Sequence, residues 1–246
     1  MHRSPAGAAW SRCGRACLRP SAARRHPVIP VGAVVFAVLR GGRGVIAHLT
    51  VEAVALSRGG RQLLTGLSFT ADAGQAIALT GANGSGKTSL LRAIAGLIRP
   101  DAGAVSFAGP AGPLEAEDAR AGGLHMLGHQ DGLKPGRTAR DELAFQVAWT
   151  GGSGASMAAA VEALELKPLL DLETRKLSAG QRRRVALARL LASPRPLWLL
   201  DEPLSPLDAR WRERFGGLMR DHLAGGGMLV AAVHDPLPIA AREVAL

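Results

Sequence analysis

The chain has 246 residues, 47% of them hydrophobic and 20% charged, which suits one sizeable α/β domain and excludes a disordered or membrane-embedded chain. Tyrosine is absent and aromatic residues make up 4%, which argues against base stacking as the main activity. The formal charge of +10 sits at one end: of the 30 basic residues, eight (Arg3, Arg12, Arg15, Arg19, Arg24, Arg25, Arg40 and Arg43) precede Glu52, the first acid. The 22 that remain face 20 acidic residues, so the body is nearly neutral and no nucleic-acid partner is expected.

Residues 1–46 read as an N-terminal extension, disordered or spurious, rich in Arg, Ala, Pro and Gly. Its 12-residue apolar run, Val28 to Leu39, is broken by Pro30 and Gly32 and is too short to cross a bilayer as a helix. A basic stretch before an apolar one resembles a secretory signal, and a basic arm also suits anionic lipid. The simpler reading is a dispensable extension, with the working protein starting near Val45. Both cysteines, Cys13 and Cys17, lie in this stretch; one such pair is a weak metal or disulfide signal. A body without cysteine fits a reducing compartment.

The body opens with two segments of alternating apolar residues, Leu49 to Leu56 and Leu67 to Ala71, expected as strands of an antiparallel layer. The short apolar run Ala76 to Thr80 has the composition of a buried parallel strand. Directly after it stands Gly81-Ala82-Asn83-Gly84-Ser85-Gly86-Lys87-Thr88, which fits G-x-x-x-x-G-K-[ST] at every fixed position. Ser89 to Leu97 continue at helical spacing. Glycines let backbone N–H groups turn inward around phosphates where side chains would collide, and the helix N-terminus adds a positive dipole end. Lys87 supplies a point charge for the β- and γ-phosphates, and the Thr88 hydroxyl suits Mg²⁺. Gly81 to Ser89 are therefore candidate phosphate-binding residues. The loop alone says only that the chain binds a nucleotide.

Leu127 to Lys134 lead into two helical stretches, Ala139 to Trp149 and Ala155 to Leu166, which suggest a small helical subdomain over about 131–177. Leu177-Ser178-Ala179-Gly180-Gln181 then opens the helix Arg182 to Leu190, a helix N-terminus with no local anion to bind. The apolar strand Pro196 to Leu200 ends in two carboxylates. Asp201 is placed to hold Mg²⁺ through water. Glu202 faces the other way and can polarise an attacking water as general base. Ser205-Pro206-Leu207-Asp208 and the strand Val230 to His234 follow.

In this order the segments resemble the motifs of ABC ATPases, and the resemblance spans residues 47–246. It implies an α/β P-loop NTPase core with a mixed sheet, an antiparallel β subdomain and a small α-helical subdomain that docks a membrane partner. The site it implies takes ATP and Mg²⁺. Ser178, Gly180 and Gln181 would cap the γ-phosphate held by the opposite subunit of a homodimer, and Asp208 would touch the partner's P-loop region. His234 would be the switch histidine, and Gln130 would sense Mg²⁺ and water. Ala179 stands where glycine is commoner. The stretch Ala55 to Gln62 lacks the aromatic residue that usually stacks on adenine, and Arg58 can take that place through its guanidinium plane.

The Gly128-His129-Gln130-Asp131-Gly132-Leu133-Lys134 segment, the run Gln181 to Leu190, Pro196 to Pro203 and Gly226-Gly227-Met228 resemble a narrower family, CcmA, the haem-exporter ATP-binding subunits of cytochrome c maturation. That resemblance implies an ATP-hydrolysing subunit that powers haem export or release of a haem-loaded chaperone. It also implies a peripheral position on the cytoplasmic face of the bacterial inner membrane, beside an integral subunit of the CcmB type. Direct haem binding is not expected, since Cys13-Gly14-Arg15-Ala16-Cys17 lacks the spacing and the following histidine of c-haem attachment. The alternative is the ATPase subunit of a different small-substrate or lipid ABC exporter.

Overall fold

The computed structural model describes residues 45–246. Residues 1–44 of the expected extension, with the Val28 to Leu39 run and both cysteines, lie outside the described residues.

Two sheets carry the mixture of strand directions. β1 (His48–Arg58), β2 (Arg61–Asp72), β4 (Ala102–Gly109) and β5 (Gly112–Leu114) form an antiparallel sheet in the order β2-β1-β4-β5. The second sheet is formed by β3 (Ala76–Thr80), β6 (Leu124–Leu127), β7 (Leu197–Asp201), β8 (Met228–Ala232) and β9 (Arg242–Ala245). Its order is β6-β7-β8-β3-β9, and every pairing in it is parallel.

A parallel sheet needs cover on both faces, and its strands read as continuous apolar runs for that reason. Successive side chains point to opposite sides. Ala76, Ala78, Trp198, Leu200, Leu229 and Ala231 enter one core, whereas Ile77, Leu79, Leu197, Leu199, Met228 and Val230 enter the other. The second core lies between the two sheets and encloses α1 (Lys87–Ile94). The first lies under a helical layer of α3 (Ala139–Thr150), α4 (Gly154–Ala163), α5 (Ala179–Ala192) and α6 (Ala209–Ala224). A shorter helix, α2 (Ala116–Gly123), precedes β6.

The helix expected from Ala155 to Leu166 stops at Ala163. Glu165 takes the left-handed conformation at φ 49°, and Leu166 N–H bonds back to Val161 O at 2.9 Å, which closes a Schellman turn. Leu166 then tucks into the core, while Arg210 and Arg214 hold the Glu165 carboxylate.

Two buried histidines make the fold acid-sensitive. His125 lies 2.6 Å from Ser193 O, and burial pushes its pKa down to about 3. His222 stacks on Trp198 with ring centroids 3.8 Å apart, and burial lowers it to about 4. Gly227 presses so close that a Cβ there would come within 2.2 Å of the His222 ring. Both rings are neutral when folded, whereas the unfolded chain takes up protons below about pH 6.5. Stability is therefore full above that pH and falls as pH drops from about 6.5 toward 4, by up to about 1.4 kcal/mol per pH unit for each histidine. The urea midpoint is expected to hold from pH 7 to about 6.5 and then to fall steadily to about pH 4.5. A flat profile would contradict the neutral assignment.

Candidate functional site

The C-terminal ends of three adjacent strands, β7, β8 and β3, place the site, as is general for open α/β sheets. The loop after β3 turns at Gly81 (φ 136°), Gly84 (φ 79°) and Gly86 (φ 108°). Side chains resist these conformations. Gly86 is the N-cap of α1, with no side-chain cap and no acid in the first turn, so the first N–H groups of the helix remain for a ligand. The buried Ser85 Oγ has no partner among the described residues. An uncapped helix end beside an orphaned hydroxyl is a fit for phosphate oxygens. Lys87 Nζ folds over the loop and donates to Gly81 O at 2.6 Å and Ala82 O at 3.0 Å.

Across the cradle, Thr88 Oγ1 donates to both oxygens of Asp201, at 3.1 and 3.0 Å. Asp201 is only 3% exposed. A hydroxyl converging on a buried carboxylate matches the oxygen donors that Mg²⁺ prefers. Glu202 takes the left-handed conformation at φ 47° just past the strand, and its carboxylate meets different partners from that of Asp201. Its Oε1 lies 3.0 Å from His234 Nε2, and His234 stands two residues past the end of β8. Its Oε2 lies 3.5 Å from His129 Nδ1. A cavity of about 210 Å³ joins the loop after β3 to Asp201, Glu202 and His234, with Arg58 and Leu63 also in its lining. His129 was not singled out from the sequence; its only signal there is its place beside Gln130.

The second set of expected residues stands apart from this cavity. Ser178 caps α5: its Oγ accepts from Gln181 N at 3.2 Å, and Gln181 Oε1 accepts from Ser178 N at 2.8 Å. The N–H groups of Ala179 and Gly180 lack intrahelical acceptors, as at the start of any α-helix. Gly180 packs so near Pro206 that a Cβ would lie 3.0 Å from its carbonyl. Asp208 caps α6, accepting from Trp211 N at 2.9 Å. None of Ser178, Gly180, Gln181 or Asp208 lines the phosphate cavity. Gln130 lines a neighbouring cleft of about 680 Å³ with Arg175 and Arg182 instead. One copy thus assembles Gly81 to Ser89, Asp201, Glu202 and His234, and leaves Gln130 and the Ser178 end outside.

The sequence profile of the ABC transporter family matches residues 64–205. The cytochrome c biogenesis ATP-binding export protein CcmA of Rhodopseudomonas palustris (strain BisB5) is 53% identical over 189 residues, covering 76% of this chain and 92% of that protein. The protein of the same description from Bradyrhizobium diazoefficiens is 45% identical, covering 80% and 96%. Among solved structures, a putative ABC transporter ATP-binding protein from Pyrococcus furiosus superposes with a TM-score of 0.70 at 20% identity, covering 81% of this chain and 98% of that one. A dimeric bacterial ABC transporter cassette superposes at 0.64 with 23% identity, covering 76% and 88%. These two likenesses concern the fold.

Proposed function

Because the chain belongs to the ABC transporter family, as an ATP-binding export protein of the cytochrome c biogenesis type, we propose that two copies close around two molecules of Mg·ATP and power haem export or the release of a haem-loaded chaperone. The observation that carries this reading is the division of the site: a cradle with uncapped N–H groups at Gly86, and a second helix end at Ser178 that lines no phosphate cavity in its own chain. In a head-to-tail pair, the Ser178 end of one copy supplies the face that the cradle of the other lacks.

Within each site, Gly81 to Ser89 wrap the phosphates and Lys87 carries the opposing charge. Thr88 and Asp201 would hold Mg²⁺, with Gln130 joining them on closure, and the metal would neutralise charge on the phosphate oxygens. Glu202 orients the attacking water and accepts its proton, and His234 holds the Glu202 carboxylate in place from 3.0 Å while reporting the γ-phosphate. Asp208 faces the partner's P-loop across the dimer. Little covalent chemistry is asked of the protein; positioning and charge neutralisation supply the rate. Arg58 stacks on adenine, and Arg58→Ala is expected to weaken ATP affinity. Unchanged affinity would remove that role.

Among the described residues no helix is long and apolar enough to cross a membrane, so export on this reading needs an integral partner of the CcmB type. The helical layer presents an exposed stacked pair, Phe145 and Trp149, and exposed apolar surface of that kind marks an interaction face. The chain would sit peripherally on the cytoplasmic face of the inner membrane. A pull-down from solubilised membranes tests the assignment. Recovery of a CcmB-type integral protein is expected, and recovery of the membrane subunit of a lipid or other small-substrate exporter would replace it.

A further inference from the structure

Arg183 lies in α5, five residues after Ser178, and is 1% exposed. Its guanidinium is fully used. Nη2 donates to Asp201 O and Glu202 O, each at 2.8 Å, and Nε donates to Pro203 O at 3.1 Å. Nη1 donates to Gly128 O at 2.9 Å and to Asp131 Oδ1 at 3.0 Å. Three successive carbonyls at the end of β7 therefore rest on one side chain, and so do both flanks of the His129-Gln130 pair.

The need for such a clamp follows from the backbone. Glu202 adopts a left-handed conformation that a side-chain-bearing residue enters at a cost. Such a turn persists only when its surroundings over-determine it. A planar guanidinium with five donors in fixed directions can do this where a lysine ammonium cannot. Asp131 supplies the counter-charge that makes a buried cation tolerable.

We propose that Arg183, neutralised by Asp131, is a positioning residue for hydrolysis: it fixes the turn carrying Glu202 to the helix that begins at Ser178. Closure of the opposite subunit's phosphate against Ser178 and alignment of Glu202 then happen as one movement. Gly128 and Asp131, on either side of the His129-Gln130 pair, travel with them, so the cleft beside Gln130 communicates with Glu202 through the same group. The inference rests on the reading of Glu202 as general base.

The test uses the complex co-purified from solubilised membranes, with Arg183→Gln, Arg183→Lys, Asp131→Asn and Glu202→Gln side by side. ATP turnover, equilibrium ATP affinity and thermal midpoint are measured for each. Arg183→Gln is expected to lower kcat about 10- to 100-fold, the scale of a small misplacement of a reacting group, with ATP affinity within about twofold of wild type. Arg183→Lys should recover only part of that loss, because an ammonium offers three donors on a single atom, whereas the guanidinium serves its acceptors from three nitrogens in fixed directions. Asp131→Asn keeps the acceptor at Oδ1 and removes only the charge, so it remains informative even where Arg183→Gln does not fold; a fall in kcat without a fall in affinity is expected. Wild-type kcat in Asp131→Asn and in the folded Arg183 variants, or affinity and turnover falling together with the thermal midpoint, would overturn the proposal. If Glu202→Gln itself turns over normally, the general-base reading is what fails; if Glu202→Gln is inactive while the Arg183 variants are unimpaired, only the present inference fails.

Discussion

Glu202→Gln is expected to lower ATP turnover about 100-fold or more, the loss anticipated when a general base is removed, and to accumulate an ATP-loaded dimer. The substitution is close to a pure chemical deletion. Glutamine keeps the length and planarity of the side chain, makes the same demand on the left-handed backbone at φ 47°, and retains an oxygen to face His234 at 3.0 Å. What it loses is the negative charge that draws a proton from water. Nucleotide binding relies on the cradle after β3, a different segment, so ATP affinity should hold. Steady-state phosphate release gives the rate. Near-normal turnover would pass the role to another group, and the nearest titratable neighbours are His234 and His129.

Lys87→Ala is expected to act on binding instead. Lys87 is buried at the first residue of α1, and its ammonium already bridges two loop carbonyls at 2.6 and 3.0 Å. Removing it costs one charge-assisted contact to phosphate, about 1.5–3 kcal/mol. That corresponds to about 10- to 100-fold in affinity, read by equilibrium titration with ATP. The loop also loses the brace that links Gly81 and Ala82 to the helix, which adds to the loss. Wild-type affinity in Lys87→Ala would contradict the phosphate assignment. The two variants separate binding from the chemical step: one raises the ATP concentration needed, the other lowers the rate at saturation.

The phosphate cradle was legible in the sequence because the ligand dictates it. A loop wraps its backbone N–H groups around an anion through left-handed turns that favour glycine, and Gly81, Gly84 and Gly86 take positive φ as that requires. The strands Ala76 to Thr80 and Leu197 to Asp201 were legible for a similar reason, since burial on both faces leaves no polar position before the last residue of each. Their adjacency through β8 was not, because pairing between segments more than a hundred residues apart leaves no local trace. The early stop of α4 leaves no mark in the sequence because Glu165 takes the left-handed place usually filled by glycine.

Arg182, Arg183 and Arg184 show the limit most clearly. Three identical letters in a row carry no hint of division, yet the helix turns each onto a different face. Arg182 donates to Leu177 O, Arg183 enters the core beside Asp201, and Arg184 lies 4.2 Å over the Trp211 ring. The same reasoning covers His129, whose meeting with Glu202 joins two loops 73 positions apart in the chain. Ser178 and Asp208 present a further case. Within one copy they act as helix caps, and a role across a subunit boundary is visible only as the absence of these residues from the local cavity.

The central claim is that a complete site needs the cradle of one copy and the Ser178 end of another. Light scattering of the Glu202→Gln protein measures it most directly, with and without Mg·ATP and beside its membrane partner. The account predicts that nucleotide doubles the ATPase mass and that removing nucleotide restores the single copy; a protein that binds ATP yet stays monomeric in both settings would contradict it.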